Sequence, residues 1–235
     1  MKTKLKTTLI LIALIVCVSL VQAGEETREV PAFSEISFRI PGKLHLEQGS
    51  TQSIEIVAKE STLEQIITEV KGRELIIRFP NKNLFWKDFD PGKIEIYITV
   101  PEIGALTVSG SGQIYNDGEI NTRILNMSVS GSGDILLDNL KAERVKVAIS
   151  GSGRVELAGN GKAEDLSIAV SGSGGYKGFD FAADDVSVKV SGSGGADVNA
   201  ERALKITIAG SGNVTYTGRP LIDQTVLGSG RVIKK

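Results

Sequence analysis

The triplet Gly-Ser-Gly occurs seven times, beginning at Gly110, Gly131, Gly151, Gly172, Gly192, Gly210 and Gly228. Successive copies are 21, 20, 21, 20, 18 and 18 residues apart. A repeat of this length is a supersecondary unit that buries its apolar face only by stacking on its neighbours. Two residues before the triplets stand Val108, Val129, Ile149, Val170, Val190, Ile208 and Val226, all β-branched. Four before stand Leu106, Met127, Val147, Ile168, Val188 and Ile206, with Gln224 in the last copy. Six before stand Leu125, Val145, Leu166, Val186, Leu204 and Ile222, with Gly104 in the first. The residues between are mostly polar or small, so each copy carries the period-two pattern of a strand with one buried face. A shorter strand follows, marked by Ile114, Ile135, Val155, Tyr176, Ala196, Val214 and Val232 four residues after the first glycine.

So little chain separates successive corners that no long helix fits between them. Each repeat reads as strand, corner, strand and polar turn, one coil stacked on the next with equivalent strands parallel. A coil of this length closes on itself and supplies the enclosed interior that parallel sheets need. The expected fold is all-β: a single-domain parallel β-helix, or β-solenoid, with corners every 18–21 residues. The corner glycines are Gly110 and Gly112, Gly131 and Gly133, Gly151 and Gly153, Gly172 and Gly174, Gly192 and Gly194, Gly210 and Gly212, and Gly228 and Gly230. A residue without Cβ takes the left-handed or strained conformations that a sharp bend between sheets uses. The middle serines, stacked about 4.8 Å apart, are expected to form a hydroxyl ladder. Seven repeated serines are architecture, not seven nucleophiles.

The amino terminus bears on compartment. Lys2, Lys4 and Lys6 precede an apolar run from Leu9 to Val21, which ends at Val21-Gln22-Ala23. This is the pattern of a secretory signal peptide over residues 1–23, cut after Ala23. The run is short for a membrane span, and no second one follows, so no transmembrane segment is expected in the mature chain. Cys17, the single cysteine, follows Val16 instead of a small residue, so lipid attachment is not expected. Cleavage leaves a chain without disulfides. It also lowers the basic residues from 27 to 24 against 28 acidic ones, moving the net charge from −1 to −4. A nucleic-acid partner does not fit that balance. The mature domain, residues 24–235, divides into irregular coils and a cap over 24–105 and regular coils over 106–235. An exported protein of the periplasm, outer surface or medium is expected.

The run from Phe33-Ser34-Glu35-Ile36 through Val100-Pro101-Glu102-Ile103, the Gly-Ser-Gly coils, and Gly210-Ser211-Gly212-Asn213-Val214-Thr215-Tyr216-Thr217-Gly218-Arg219-Pro220 together resemble a bacterial family. It is the putative auto-transporter adhesin, head GIN domain family. The resemblance covers nearly all of the mature chain. It implies a right-handed parallel β-helix and an adhesive role. No membrane barrel is read after residue 235, so a complete autotransporter is not expected.

Strand-like segments also fill the front third: Ile36–Ile40, Leu44–Glu47, Ile54–Val57, Leu75–Phe79 and Ile94–Ile98. They are expected to be the first three or four coils, with a cap over the open end. Residues Ser61–Val70 suit either a short helix or an irregular coil. The loop Asn81–Gly92 holds Phe85, Trp86 and Phe89 among charges and turn formers. An exposed aromatic platform there would suit a glycan or a protein ligand. Packing of these rings over the solenoid's end or flank is the preferred reading.

Chemistry has few candidates. His45 is the sole histidine, so no triad or zinc site can be built around a second one. Aligning the coils on their triplets puts Glu143, Glu164, Asp184 and Arg202 in one column and Arg144, Asp165, Asp185 and Ala203 in the next. Glu164, Asp165, Asp184 and Asp185 would then crowd on adjacent coils. A calcium ion could offset their repulsion; the plainer reading is a solvated turn flanked by Arg144 and Arg202. A third column reads Gln113, Asp134, Arg154, Gly175, Gly195, Asn213 and Arg231, with Asp134 beside Arg154 as a surface pair. No catalytic residue and no firm cofactor is assigned. The leading expectation is a non-enzymatic envelope or surface protein that binds a glycan or protein. The rivals are a polysaccharide-acting enzyme with a cleft near Asp165 and Asp185, and a self-associating structural component.

Overall fold

The structure is a computed structural model that describes residues 23–80 and 89–235. The expected signal peptide therefore falls almost wholly outside the described residues. In chain order the described elements begin with β1 (Ala23–Thr27), β2 (Glu35–Phe38), β3 (Lys43–Gln48) and β4 (Ser53–Lys59). One helical turn, α1 (Glu60–Leu63), leads to β5 (Ile67–Lys71), β6 (Glu74–Arg78) and β7 (Glu95–Val100). The repeats supply β8 (Ala105–Gly110), β9 (Gln113–Asn116), β10 (Ile120–Gly131), β11 (Asp134–Asp138), β12 (Leu140–Gly151) and β13 (Arg154–Ala158). Then come β14 (Lys162–Gly172), β15 (Gly175–Gly192), β16 (Gly195–Gly210), β17 (Asn213–Gly218), β18 (Leu221–Gly228) and β19 (Arg231–Lys234).

The strands before the corners form one parallel stack and those after the corners a second. In the first, β8, β10, β12 and β14 pair in sequence and continue through the far halves of β15 and β16 to β18. In the second, β9, β11 and β13 continue through the near halves of β15 and β16 to β17 and β19. The columns read from the triplets are the observed register: Val108, Val129, Ile149, Val170, Val190, Ile208 and Val226 lie strand against strand. Their inward side chains make one continuous core, with Val108, Ile114, Leu125, Ile135, Val155 and Ile208 essentially inaccessible. Each such side chain contributes about 1.5–3 kcal/mol on leaving water.

The corner is held by backbone. Ser152 N and Gly153 N both donate to Gly131 O, at 2.8 and 3.0 Å, and the same fork recurs at Gly110, Gly151, Gly172 and Gly192. The first glycine of every triplet has positive φ, between +105° and +130°. A Cβ on the second, as at Gly153, would fall against the carbonyl oxygen of Gly133 in the coil before. The expected hydroxyl ladder does not form: no hydrogen bond joins the middle serines, which face solvent at Ser152, Ser173 and Ser193. The backbone fork already satisfies the corner, so the hydroxyls are left to water.

The front third departs from a simple run of coils. β2 pairs with both β6 and β8, and β3 with both β7 and β9. The rung made by residues 35–48 thus lies inside the rung made by β6 and β7, although it comes first in the chain. β4 runs antiparallel to β7, β1 antiparallel to β4, and β5 antiparallel to β6. Only two rungs precede the regular coils, and antiparallel strands cap them. Period-two alternation does not distinguish parallel from antiparallel partners, which is why the sequence suggested three or four successive coils. Residues Ser61–Val70 begin as a short helix and end as a strand. After one helical turn, the β-branched Ile67 and Thr68 enter β5, and Gly72 at φ +65° opens the two-residue turn into β6, where a II′ hairpin asks for glycine.

Tyr176 shows how the interior is filled. It takes the inward place between Val155 and the small Ala196. Its ring lies where a Gly178 side chain would be. The hydroxyl is buried without a hydrogen-bond partner, and that burial pushes its pKa upward.

Candidate functional site

The polar turn that leads into the long strands forms a lengthwise groove on one flank. Its first hollow, about 570 Å³, is lined by Ser34, Gln48, Arg73, Asn121, Arg123 and Asn126 among others. The next, about 560 Å³, shares Asn121, Thr122 and Arg123 and runs on to Lys141, Glu143, Lys162, Glu164 and Asp184. Two devices fix its rim. Gln48 donates to the carbonyls of Pro101 and Asn121 (2.9 and 3.0 Å) and accepts from Asn121 N at 2.7 Å. Arg73 donates twice to Ser34 Oγ, at 3.0 and 2.8 Å. Arg123, exposed and common to both hollows, makes no hydrogen bond or ion pair with any described residue.

At the far end of the groove lie the stacked carboxylates. Asp165 stands beside Arg144 on one side and Asp185 on the other, as the aligned columns require. Side-chain cations surround this cluster. Lys162 Nζ meets Asp184 at 3.1 Å and Glu201 at 2.9 Å, and these two acids raise its pKa, Glu201 first. Arg202 grips Asp185 with two hydrogen bonds and holds that carboxyl below its usual range. Among the described residues no group of three or more His, Cys, Asp or Glu converges as a metal ion would need. Glu164, Asp165, Asp184 and Asp185 are not brought together as such a group, and Lys162 and Arg202 pair with Asp184 and Asp185.

The aromatic loop is only partly described. Phe85 and Trp86 lie outside the described residues. Phe89 is partly buried against the core, with its ring edge-on to Phe79 at 5.5 Å. The segment after it is tied down by Lys59–Asp90 at 2.8 Å and by Thr62 Oγ1 donating to Pro91 O at 2.9 Å. Phe89 thus packs inward instead of offering a platform.

His45 has a role that its sequence position did not reveal. Its ring stacks between Tyr97 (4.9 Å, 15°) and Tyr115 (6.0 Å, 23°) on the outer face of β7, β3 and β9. Nδ1 lies 3.6 Å from Asp117, and Nε2 is buried without a partner. The stack links three rungs across the non-sequential junction. The signal was present in the residue types, but aligning them required knowing that the rungs stack out of chain order.

Comparison with known proteins gives a family and a fold. Residues 32–220 match the family described as putative auto-transporter adhesin, head GIN domain. A crystal structure from Bacteroides fragilis described as a putative adhesin is similar at TM-score 0.84 and 21% identity, covering 91% of this chain and 97% of that one. A Parabacteroides distasonis protein described as a putative lipid binding protein has TM-score 0.74 and 23% identity over 91% and 96% of the two chains. A putative adhesin from Parabacteroides merdae has TM-score 0.71 and 23% identity, again over 91% and 96%. No curated protein matches the chain.

Proposed function

Because the chain belongs to the putative auto-transporter adhesin, head GIN domain family, we propose that it is an exported, non-enzymatic binding solenoid of the bacterial envelope that holds a glycan along its polar flank. The observation that carries this is Arg123, an unpaired guanidinium at the junction of two contiguous polar hollows. The rim offers side-chain amides, hydroxyls and charges of both signs, the mixture that recognises sugar hydroxyls. A rigid stack of parallel strands keeps such groups in place without ordering cost at binding. The test is a glycan-array screen of the purified protein with Arg123→Ala alongside. We expect the best wild-type ligand to bind about tenfold more weakly to the variant, as loss of a charge-assisted contact implies. Equal binding by both proteins removes the groove from the proposal.

A second reading, head-to-tail self-association, is favoured by the last rung. Leu221 is 82% and Leu227 65% exposed, and Ile222, Val226 and Ile233 are also open to solvent. Basic Arg231, Lys234 and Lys235 lie there, while the opposite end of the same stack carries Glu25, Glu26, Glu60 and Glu64, with Arg28 paired to Glu26, around a hollow. The edges of β18 and β19 on one copy would meet the edges of β5 and β1 on the next, with the basic β19 end against the acidic β1 end, in an interface that repeats without closing. Sedimentation is expected to show mass rising with protein concentration and falling with added salt; a monomer at all concentrations ends this reading.

A further inference from the structure

On the outer face of the second stack, the column beside the corner runs Gln113, Asp134, Arg154, Gly175, Gly195, Asn213 and Arg231, strand against strand. Five of these positions carry long or polar side chains, and two neighbouring positions carry none. The gap opens a hollow of about 520 Å³ over the strands of Gly175 and Gly195. Gly175 is not there for its backbone. Its φ is not positive, and an added Cβ would touch only Gly195 O, at an ordinary 3.5 Å. Gly195 is tighter, its Cβ position lying 2.8 Å from Asn213 O. A glycine that neither the turn nor the packing requires leaves room for something else.

The walls of that room are polar and under-used. Arg154 Nε is buried without a hydrogen-bond partner; its nearest acid, Glu156, is 3.7 Å away. The other end of the guanidinium reaches Asp134 only at 3.5 Å, and Asp134 already accepts from Gln113 at 3.0 Å. Lys177 and Asp197 stand side by side in the next outward column, each without an ion pair to a described residue. Ser173 and Ser193 face the hollow from the corner, and Asn213 closes its far end. From Arg154 to Asn213 is three strand spacings, about 14 Å, wide enough for one pyranose ring lying on bare backbone.

We propose that this hollow is a saccharide subsite for a hexuronate unit. Arg154 and Lys177 meet the sugar's carboxylate, and Asp197, Asn213 and the corner serines meet its hydroxyls. A carboxylate can pair with the exposed part of the Arg154 guanidinium, whose Nη2 meets Asp134 only at 3.5 Å, and a guanidinium holds a carboxylate in a fixed fork. A more highly charged anion fits less well, because Asp134 and Asp197 border the same space. The site lies beside the corners, apart from the flank groove, and stands or falls independently of Arg123.

Calorimetric titration with a hexasaccharide of alternating glucuronate and N-acetylglucosamine tests it, with the carboxyl-reduced hexasaccharide as comparison. The native protein is expected to bind the acidic sugar saturably and the reduced one about tenfold more weakly. Gly175→Leu fills the hollow and is expected to abolish binding with an unchanged melting curve. Arg154→Gln is expected to weaken binding about tenfold. If Gly175→Leu shifts the melting curve, Arg154→Gln decides. Absence of saturable binding to the native protein, equal affinity for the reduced sugar, or undiminished binding by Arg154→Gln overturns the proposal.

Discussion

Replacing Gly151 by valine is expected to destabilise the protein by more than about 4 kcal/mol, a cost reached when a backbone conformation and a packed neighbour are violated together. Gly151 has φ +116°, which L side chains rarely adopt, and its Cβ would fall against the carbonyl oxygen of Gly131. That oxygen accepts from both Ser152 and Gly153, so it cannot move away without opening the corner. Gly110 separates the two causes. Its φ is +105°, but nothing lies within 4 Å of its Cβ position. Gly110→Ala should therefore cost only the conformational part, about 1–3 kcal/mol, and Gly151→Ala clearly more. Urea midpoints of the three variants check the order. Equal losses for Gly110→Ala and Gly151→Ala would show that stacking against the preceding coil contributes nothing.

The regular coils were legible because their constraint is local and repeated. Each corner needs glycine at the same offset from the same β-branched residue, so one alignment fixes register for β8 through β19. The front third has no such mark. Leu44, Ile56 and Ile96 alternate as convincingly as Val147 does, yet β4 runs antiparallel and β3 lies between β7 and β9. Those choices are made by long-range partners, which a single strand does not encode.

The same difference governs what could be read of the sites. The acidic columns were visible since they ride on the repeat, but their neutralisation depended on where the long side chains of Lys162 and Arg202 reach. Tyr97, His45 and Tyr115 stack through three segments whose spatial order is not their chain order. The groove around Arg123 joins residues from position 34 to position 184, a distance in sequence that no motif spans. The hollow at Gly175 lay in an aligned column from the start. Its significance rests on a structural fact, that this glycine alone in its corner meets neither a positive φ nor a close neighbour.

Phe179 and Phe181 carry the second large expectation, because the sequence treats them alike and the fold does not. Phe181 is wholly buried at the bend where β15 turns from one stack to the other, between Gly178 and Ala182, where the register shifts. It packs beneath Gly161, whose Cβ position lies 2.5 Å from the ring, and the adjacent Ala182 N donates to Gly161 O at 3.1 Å. Phe181→Ala removes the ring from a place that the backbone on both sides holds open, so the cavity cannot close. The expected loss is about 3–5 kcal/mol. Phe179 points outward and lies under the Lys235 ammonium, 4.0 Å from the ring centroid. Phe179→Ala should cost no more than about 1 kcal/mol, the value of an exposed cation–π contact. Equilibrium unfolding in urea distinguishes them, and hydrogen exchange should show faster opening around Gly161 and Ala182 in the Phe181 variant alone. A loss below about 1 kcal/mol for Phe181→Ala, small beside a packed aromatic's usual contribution, would mean that the bend is closed by its backbone pairing and not by the ring beneath it.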